Sequence, residues 1–326
     1  GLVFGAPILG FYFWANNQFM VQRVLGAKNL NHGRWGALFA GLLKLPVIFI
    51  MVIPGTLAIL IYGNYDLSAM NYGLPDGGIC ANLRDCPNAT YPLLLFDLLP
   101  KGLLGLVLAG LLAAMMSSVS ATFNSASTLV TMDFIVKLRP DLTSKQLVRA
   151  GQITTAVLVV LASAWAPQIE RWNSLWEYLQ IILSYIAPPV ASVFILGLFW
   201  RRANAIGAFV SLMGGFLIGA LLFAAAIHVN GAQAAHVQPN GFLAFLDQFH
   251  FLHTTVYLLL ICMLINVAVS LSTAPPDPQV IEKYTWRREI FTRESAEMAG
   301  LPWYLNYRYL SVLLLIVTAI VVGYFW

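Results

Sequence analysis

Residues 102–132 read GLLGLVLAGLLAAMMSSVSATFNSASTLVTM, with no ionisable side chain between Lys101 and Asp133. About 20 apolar residues cross a ~30 Å hydrocarbon core as a helix, so this run spans a bilayer and continues past it. Working outward, comparable runs occupy residues 2–22 and 35–62 before it. After it come 146–167, 174–200, 205–227, 254–272 and 309–326. The 326-residue chain is 59% hydrophobic and 10% charged, with mean hydropathy +0.76. A soluble domain carries about 25% charged residues. These patterns predict an all-α integral membrane protein with about eight transmembrane helices. The run 174–200 holds Pro188-Pro189, which predicts a break in its hydrogen-bond ladder, tolerated at membrane depth only where it is buried or lines a cavity.

The formal net charge of +4 could suggest nucleic acid, but the basic residues lie in short links between apolar runs. Arg23, Lys28 and Arg34 follow the first run. Lys137, Arg139, Lys145 and Arg149 follow the third, and Arg201 and Arg202 the fifth. Lys283, Arg287, Arg288, Arg293 and Arg308 follow the seventh. Fourteen of the 18 basic residues therefore fall in alternate links. Arg84, Lys101 and Arg171 lie in the other links and Lys44 inside the second run. The positive-inside rule puts the odd-numbered links in the cytoplasm and both ends outside. The outer loop 64–100 is turn-rich at Pro75-Asp76-Gly77-Gly78. It contains Cys80 and Cys86, where a disulfide is chemically permitted, and the sequon Asn88-Ala89-Thr90, which carries no meaning in a bacterial protein. The inner loop 275–308 has mixed charge and includes Trp286 and Trp303, as expected of a segment lying along the membrane surface. The chain opens inside an apolar run with neither Met nor the basic start of a signal peptide. The simplest expectation is a piece whose N-terminal part is missing.

Polar residues inside spans are expensive and mark function by default. Trp14, Asn16, Asn17 and Gln18 combine amides with an aromatic, which suits a sugar's hydroxyls and apolar ring face. They equally suit a helix end reaching the headgroups. Lys44, between Leu43 and Leu45, needs a partner or a water-filled cavity. Ala113-Ala114-Met115-Met116-Ser117-Ser118 fits close helix packing or oxygen ligation of a hard cation such as sodium. Glu177 and Gln180 are three apart and share a helix face, with Glu177 placed as a gate or rim residue. His32, His236, His250 and His253 have no metal-ligand spacing. No phosphate loop, nucleophile elbow or zinc motif appears, so the chain reads as a non-enzyme.

These residues resemble the sodium/solute symporter family, in its sodium/glucose cotransporter branch. The resemblance rests on Phe13-Trp14, Gln18, Val21-Gln22-Arg23, Ala27-Lys28-Asn29, Lys44 with Pro54-Gly55, and Met116-Ser117-Ser118. It continues through Phe123-Asn124-Ser125-Ala126-Ser127-Thr128, Thr131-Met132-Asp133, Tyr178-Leu179-Gln180, Ser184-Tyr185, Pro188-Pro189, Phe199-Trp200-Arg201-Arg202 and Gly207-Ala208-Phe209. It implies inverted five-helix repeats with substrate and ion near the midplane at broken helices. On that reading residues 1–200 form the second repeat and 201–326 three additional helices. The first repeat, which completes both sites, is absent.

The resemblance further implies sodium ligation by the Ala114 carbonyl, Ser117 and Ser118. It places Lys44 and Gln180 at sugar-contacting positions, and Gly10, Phe13, Trp14 and Asn17 along the sugar and its inner gate. Phe13 stands where a gate tyrosine is common, and Gly10 offers no side chain. Ala121 departs from the second-sodium pattern, which favours one sodium per cycle. The expected function is sodium-coupled symport of a sugar such as glucose or galactose by alternating access, in the cell membrane (the inner membrane of a bacterium). Inositol, an amino acid or an organic anion is the alternative cargo. A membrane-embedded enzyme or sensor scaffold is the alternative of another class.

Overall fold

The computed structural model describes residues 1–63, 82–83, 86–169, 172, 174–234 and 240–325, with the backbone alone at 230–234, 247 and 325. The Pro75–Gly78 turn, Cys80, Arg84, Arg171 and His236 lie outside the described residues. The described residues are helical and contain no strand.

Among the described residues, six helices are long and apolar enough to cross a membrane: Lys101–Leu138, Ser144–Ile169, Leu175–Phe199, Ala205–Val229, Phe251–Ser272 and Tyr307–Tyr324. They match the last six expected spans. The first two expected spans are not single helices. Residues 2–22 divide into α1 (Leu2–Phe11), a π-helical turn (Tyr12–Asn16) and α2 (Gln18–Leu25). Asn17 separates them with an extended backbone, φ −72° and ψ 118°. Residues 35–62 divide into α3 (Leu30–Leu42), a π-helical turn (Ile48–Val52) and α4 (Ile53–Tyr62). The cause of this second break is Pro46, which has no N–H and disfavours helical backbone at Leu45. The ladder shortens locally: the Lys44 amide donates to the Gly41 carbonyl (3.1 Å) and the Leu45 amide to that of Leu42 (3.1 Å).

The chain continues through a 3₁₀ turn (Pro87–Ala89), α5 (Thr90–Leu98), α6 (Lys101–Leu129), a π-helical turn (Val130–Ile135) and α7 (Val136–Leu138). Then follow α8 (Ser144–Ile169), α9 (Leu175–Phe199), α10 (Ala205–Ala234), α11 (Gly241–Asp247) and α12 (Phe251–Ser272). The chain closes with α13 (Pro278–Tyr284), α14 (Arg288–Met298) and α15 (Tyr307–Phe325). The α6–α7 run of 38 residues is about 57 Å long at 1.5 Å per residue. It therefore overreaches the hydrocarbon core, as its sequence predicts.

The expected break at Pro188-Pro189 does not occur, and α9 runs through both prolines. Each removes one donor from the ladder, but proline's fixed φ is itself helical. Both are fully buried, as are Ser184 and Ser192. The hydroxyls close back on the backbone, Ser184 Oγ donating to the Ile181 carbonyl (2.6 Å) and Ser192 Oγ to that of Pro189 (2.8 Å). Close packing surrounds both prolines, and the helix continues through them.

The chain divides into two compact units, Gly1–Pro54 with Leu179–Trp326, and Gly55–Tyr178. In the first, α10 packs on α12 and α12 on α1. Ser211 Oγ donates to the Cys262 carbonyl (2.7 Å). Gly215 sits between Pro189 and Cys262: a Cβ there would stand 2.6 Å from Cys262 Sγ and 2.7 Å from Pro189 Cγ. Small residues of this kind let helix backbones approach. Gly215→Ala is therefore expected to cost about 1–3 kcal/mol by overpacking. Gly214→Ala, whose methyl would lie 3.7 Å from Ile265 Cδ1, should cost little. Thermal unfolding of the two variants in detergent checks this; equal midpoints would refute the packing account.

In the second unit α6 packs on α8, with Ser127 Oγ donating to the Gly151 carbonyl (2.8 Å). Ala58, Tyr62, Leu83, Cys86 and Leu93 form a small core. Cys86 is disulfide-bonded, and Cys262 is free and buried. The Asn88 side chain accepts a bond from the Leu175 amide (3.2 Å), a structural use of the sequon asparagine at the start of α9.

Candidate functional site

The two helix breaks deliver the polar residues of the first unit. At the first break, Asn17 caps α2, its Oδ1 accepting from the Phe19 amide (3.0 Å). That leaves the Asn17 amide nitrogen for any other partner. One residue earlier, both side-chain atoms of Asn16 are buried without a hydrogen-bond partner. Buried polar atoms in proteins are rarely left so, which marks Asn16 as a site residue in waiting. The resemblance passed it over, although the amide run at residues 16–18 is the signal that finds it.

Phe13 and Trp14 lie in the π-helical turn, their rings edge-to-face with centroids 5.7 Å apart. Lys44 stands in the second break, and its Nζ lies 5.6 Å from the centroid of the Phe13 ring. No carboxylate pairs with Lys44 among the described residues. A cation over an aromatic face is held by the ring quadrupole. A methyl added at Gly10, one turn before Phe13 and Trp14, would meet nothing within 4 Å. The first unit thus brings Phe13, Trp14 and Lys44 together, with Gly10 and Asn17 in adjoining turns. Gln180, in α9 of the same unit, is half-buried with no side-chain hydrogen bond among the described residues. Glu177 lies in the first turn of α9 and is exposed.

The second unit carries the expected sodium ligands. Ala114, Ser117 and Ser118 lie on the unbroken helix α6, at spacings of three and four residues that put them on one face. All three are exposed. Further along α6, Thr122, Ser125 and Thr128 each donate to the carbonyl four residues back, at 2.8–2.9 Å. Ser117 and Ser118 make no such bond, so their hydroxyls stay available to a ligand. The described residues contain no group of His, Cys, Asp or Glu able to hold a metal ion. The Ala114 carbonyl and the two serine hydroxyls are neutral oxygens, a donor type that suits a monovalent hard cation.

Residues 1–215 match the sodium:solute symporter family. The chain belongs to that family. The symporter chain is 38% identical over 307 residues to sodium/myo-inositol cotransporter 2 of Oryctolagus cuniculus, covering 93% of this chain and 45% of that protein. It is 36% identical over 307 residues to sodium/glucose cotransporter 4 of Danio rerio, covering 93% and 46%. Against the sodium/myo-inositol cotransporter of Mus musculus it is 34% identical over 309 residues, covering 93% and 42%. The symporter chain therefore spans less than half the length of these relatives. Family membership and the six apolar helices make it a multi-pass membrane protein, and members of a symporter family are transporters rather than enzymes.

Proposed function

We propose that this chain carries one wall of the solute site and one wall of the sodium site of a sodium-coupled symporter for a neutral polyhydroxylated solute. The observation that carries the reading is the meeting of Lys44 with Phe13, itself edge-to-face with Trp14, at two helix breaks. An aromatic edge, an ammonium and nearby amides supply an apolar face and hydrogen-bond donors, which is what a sugar or cyclitol ring presents in complement. Inositol fits as well as glucose or galactose, and relatives named for both kinds of cargo stand at similar identity. The residues assigned to the solute are Gly10, Phe13, Trp14, Asn17, Lys44, Glu177 and Gln180, with Asn16 added. Those assigned to sodium are Ala114, Ser117 and Ser118, with one ion per cycle. Residues 1–200 act as a five-span repeat and 201–326 as accessory helices.

Coupling in this reading is differential binding. Sodium favours the outward-open state and solute completes the occluded one, since a ligand that binds both states equally shifts neither. The competing cargo, an organic anion, is favoured only by Lys44 having no carboxylate partner among the described residues. Uptake of labelled solute by a transport-competent protein carrying this chain, challenged with neutral polyols and with small carboxylates, tests the reading. Failure of every neutral polyol to compete would overturn it and leave the symporter family standing.

Ser118→Ala is expected to raise the sodium concentration for half-maximal uptake roughly tenfold, the scale of one polar partner lost to an ion. Solute recognition should persist. Thr122→Val, whose hydroxyl is committed to the Ser118 carbonyl, should leave sodium dependence nearly unchanged. An unchanged half-saturation in Ser118→Ala would assign the serines to helix packing.

A further inference from the structure

A groove of about 500 Å³ opens in the first unit where the end of α9, the start of α10, the end of α12 and α13 converge. Its wall is mostly apolar, formed by Val193, Gly197, Ile206, Ala208 and Val280 among others. Three polar side chains reach it. Asn204 is committed: its Nδ2 donates to Thr273 Oγ1 (2.6 Å) and the Ala274 carbonyl (2.8 Å), and its Oδ1 accepts from the Gly207 amide (2.8 Å). Asp277 caps α13, its Oδ1 accepting from the Gln279 amide (2.8 Å), so its charge is turned to that helix end. Asn266 is fully buried; its Oδ1 accepts from Ser270 Oγ (3.1 Å), and its Nδ2 has no partner.

Beside the groove stand two adjacent cations. Arg202 Nη2 donates to the Thr273 carbonyl (2.7 Å), next to the groove-lining Ala274, while its Nη1 is buried without a partner. Arg201 is exposed. Neither arginine has an ion pair among the described residues. Phe199 and Trp286 meet at 6.3 Å between ring centroids, and the Trp286 amide donates to the Leu198 carbonyl (2.9 Å). Aromatics of this kind sit at headgroup level. The arginine and lysine distribution puts this end on the cytoplasmic side.

We propose that this groove holds one acyl chain of an anionic phospholipid of the inner leaflet, with its phosphate on Arg201 and Arg202. The apolar wall accounts for the chain. Two arginines without an ion pair among the described residues account for an anionic rather than a zwitterionic headgroup, and the apolar wall accounts for a lipid rather than a soluble anion. The buried amide of Asn266 supplies a donor for the ester carbonyl that joins chain to headgroup. Basic pockets between helices on the cytoplasmic face take anionic headgroups by the same electrostatics. The proposal is independent of the transported solute.

The test uses the purified chain in detergent, with lipid retention read by native mass spectrometry. The lipids are phosphatidylglycerol and phosphatidylcholine with identical acyl chains. Phosphatidylglycerol should be preferred about 30-fold, about fivefold for each arginine. Arg201→Gln with Arg202→Gln should abolish the preference and leave weak retention of both lipids. If the double variant fails to fold, Arg201→Gln alone, at an exposed position, should still lose about fivefold. Gly197→Leu should remove this lipid whatever its headgroup, because a side chain at Gly197 enters open space in the groove without a clash. Equal retention of the two lipids by the native chain would overturn the proposal. So would an unchanged preference in the arginine variants, unchanged retention in Gly197→Leu, or displacement by excess glycerol phosphate.

Discussion

Gln180→Ala raises the solute concentration for half-maximal uptake by about 5- to 150-fold, corresponding to about 1–3 kcal/mol for a neutral hydrogen-bond partner left unpaired. Gln180 is half-buried and its amide is uncommitted among the described residues. Removing it therefore disturbs no internal bond, and the loss should fall on the solute. Sodium-stimulated conformational change should persist. Lys44→Ala is expected to produce a loss of the same order for a neutral polyol. Lys44 is exposed in its turn and touches the Phe13 ring, so its removal opens no core cavity. For an anionic cargo the ranking changes, because Lys44 would then make a charge-assisted bond, roughly twice as strong as a neutral one. Uptake curves on both variants separate the cases: a far larger loss at Lys44 than at Gln180 would identify an anion. No loss at either would remove both residues from the site.

Glu294→Ala is expected to lower the thermal stability of the junction between α3, α14 and α15, since it removes the carboxylate that two guanidinium groups share. Arg34, at the start of the chain's third helix, pairs with Glu294 Oε1. Arg308 Nη2 and Tyr307 OH, at the start of α15, both donate to Oε2 at 2.9 Å. Arg308 Nη1 also donates to Ser295 Oγ (2.6 Å), and the Arg34 guanidinium stacks 4.4 Å from the Tyr307 ring. Trp35 Nε1 donates to the Leu305 carbonyl (3.1 Å), so its indole reports on the same junction. The side chains of Arg34, Glu294 and Arg308 are 26%, 19% and 25% exposed, which tempers the value of each pair.

Burial pushes the Glu294 carboxyl upward, but the hydrogen bonds from Arg308, Tyr307 and Arg34, with the Arg34 charge, outweigh it and hold the group below its ordinary value. A depressed folded value means that the stabilisation is complete above the ordinary glutamate range, near about 4.3. It is lost as pH falls through the lower folded value. Trp35 fluorescence during thermal unfolding at descending pH should therefore show an acid loss that Glu294→Gln lacks. Identical acid profiles for the two proteins would show that Glu294 does not control the junction.

Several residues of the proposed site stand out in the sequence alone. Trp14, Lys44 and Gln180 stand out because polar or amphipathic groups inside apolar runs need a reason to be there. Asn16 was visible in the amide run, but only its buried, unpartnered atoms distinguish it from Asn17, whose oxygen is spent on a helix cap. Ser117 and Ser118 read equally as packing or ligation. Their failure to bond back to the helix, unlike Thr122, Ser125 and Thr128, is a rotamer fact that residue order does not contain.

Sequence alone determined that this is a helical membrane protein, because the length and apolarity of its runs leave no other way to satisfy the backbone in lipid. It also determined the alternation of basic links and the family. Tertiary structure decided where the helices break. Pro188-Pro189 is the strongest breaker in the chain, yet α9 passes straight through it, since close contacts from Gly215, Cys262 and buried serines hold the backbone while proline's own φ fits a helix. Pro46, by contrast, stands at a break, and Asn17 interrupts the first span with an extended backbone while its own N–H still bonds the Tyr12 carbonyl. A proline's local effect is a few kcal/mol. Pro7 and Pro167 lie inside α1 and α8 at exposed positions without interrupting them, so the presence of a proline does not by itself fix where a helix breaks; that depends on where the surrounding backbone donors and acceptors find partners.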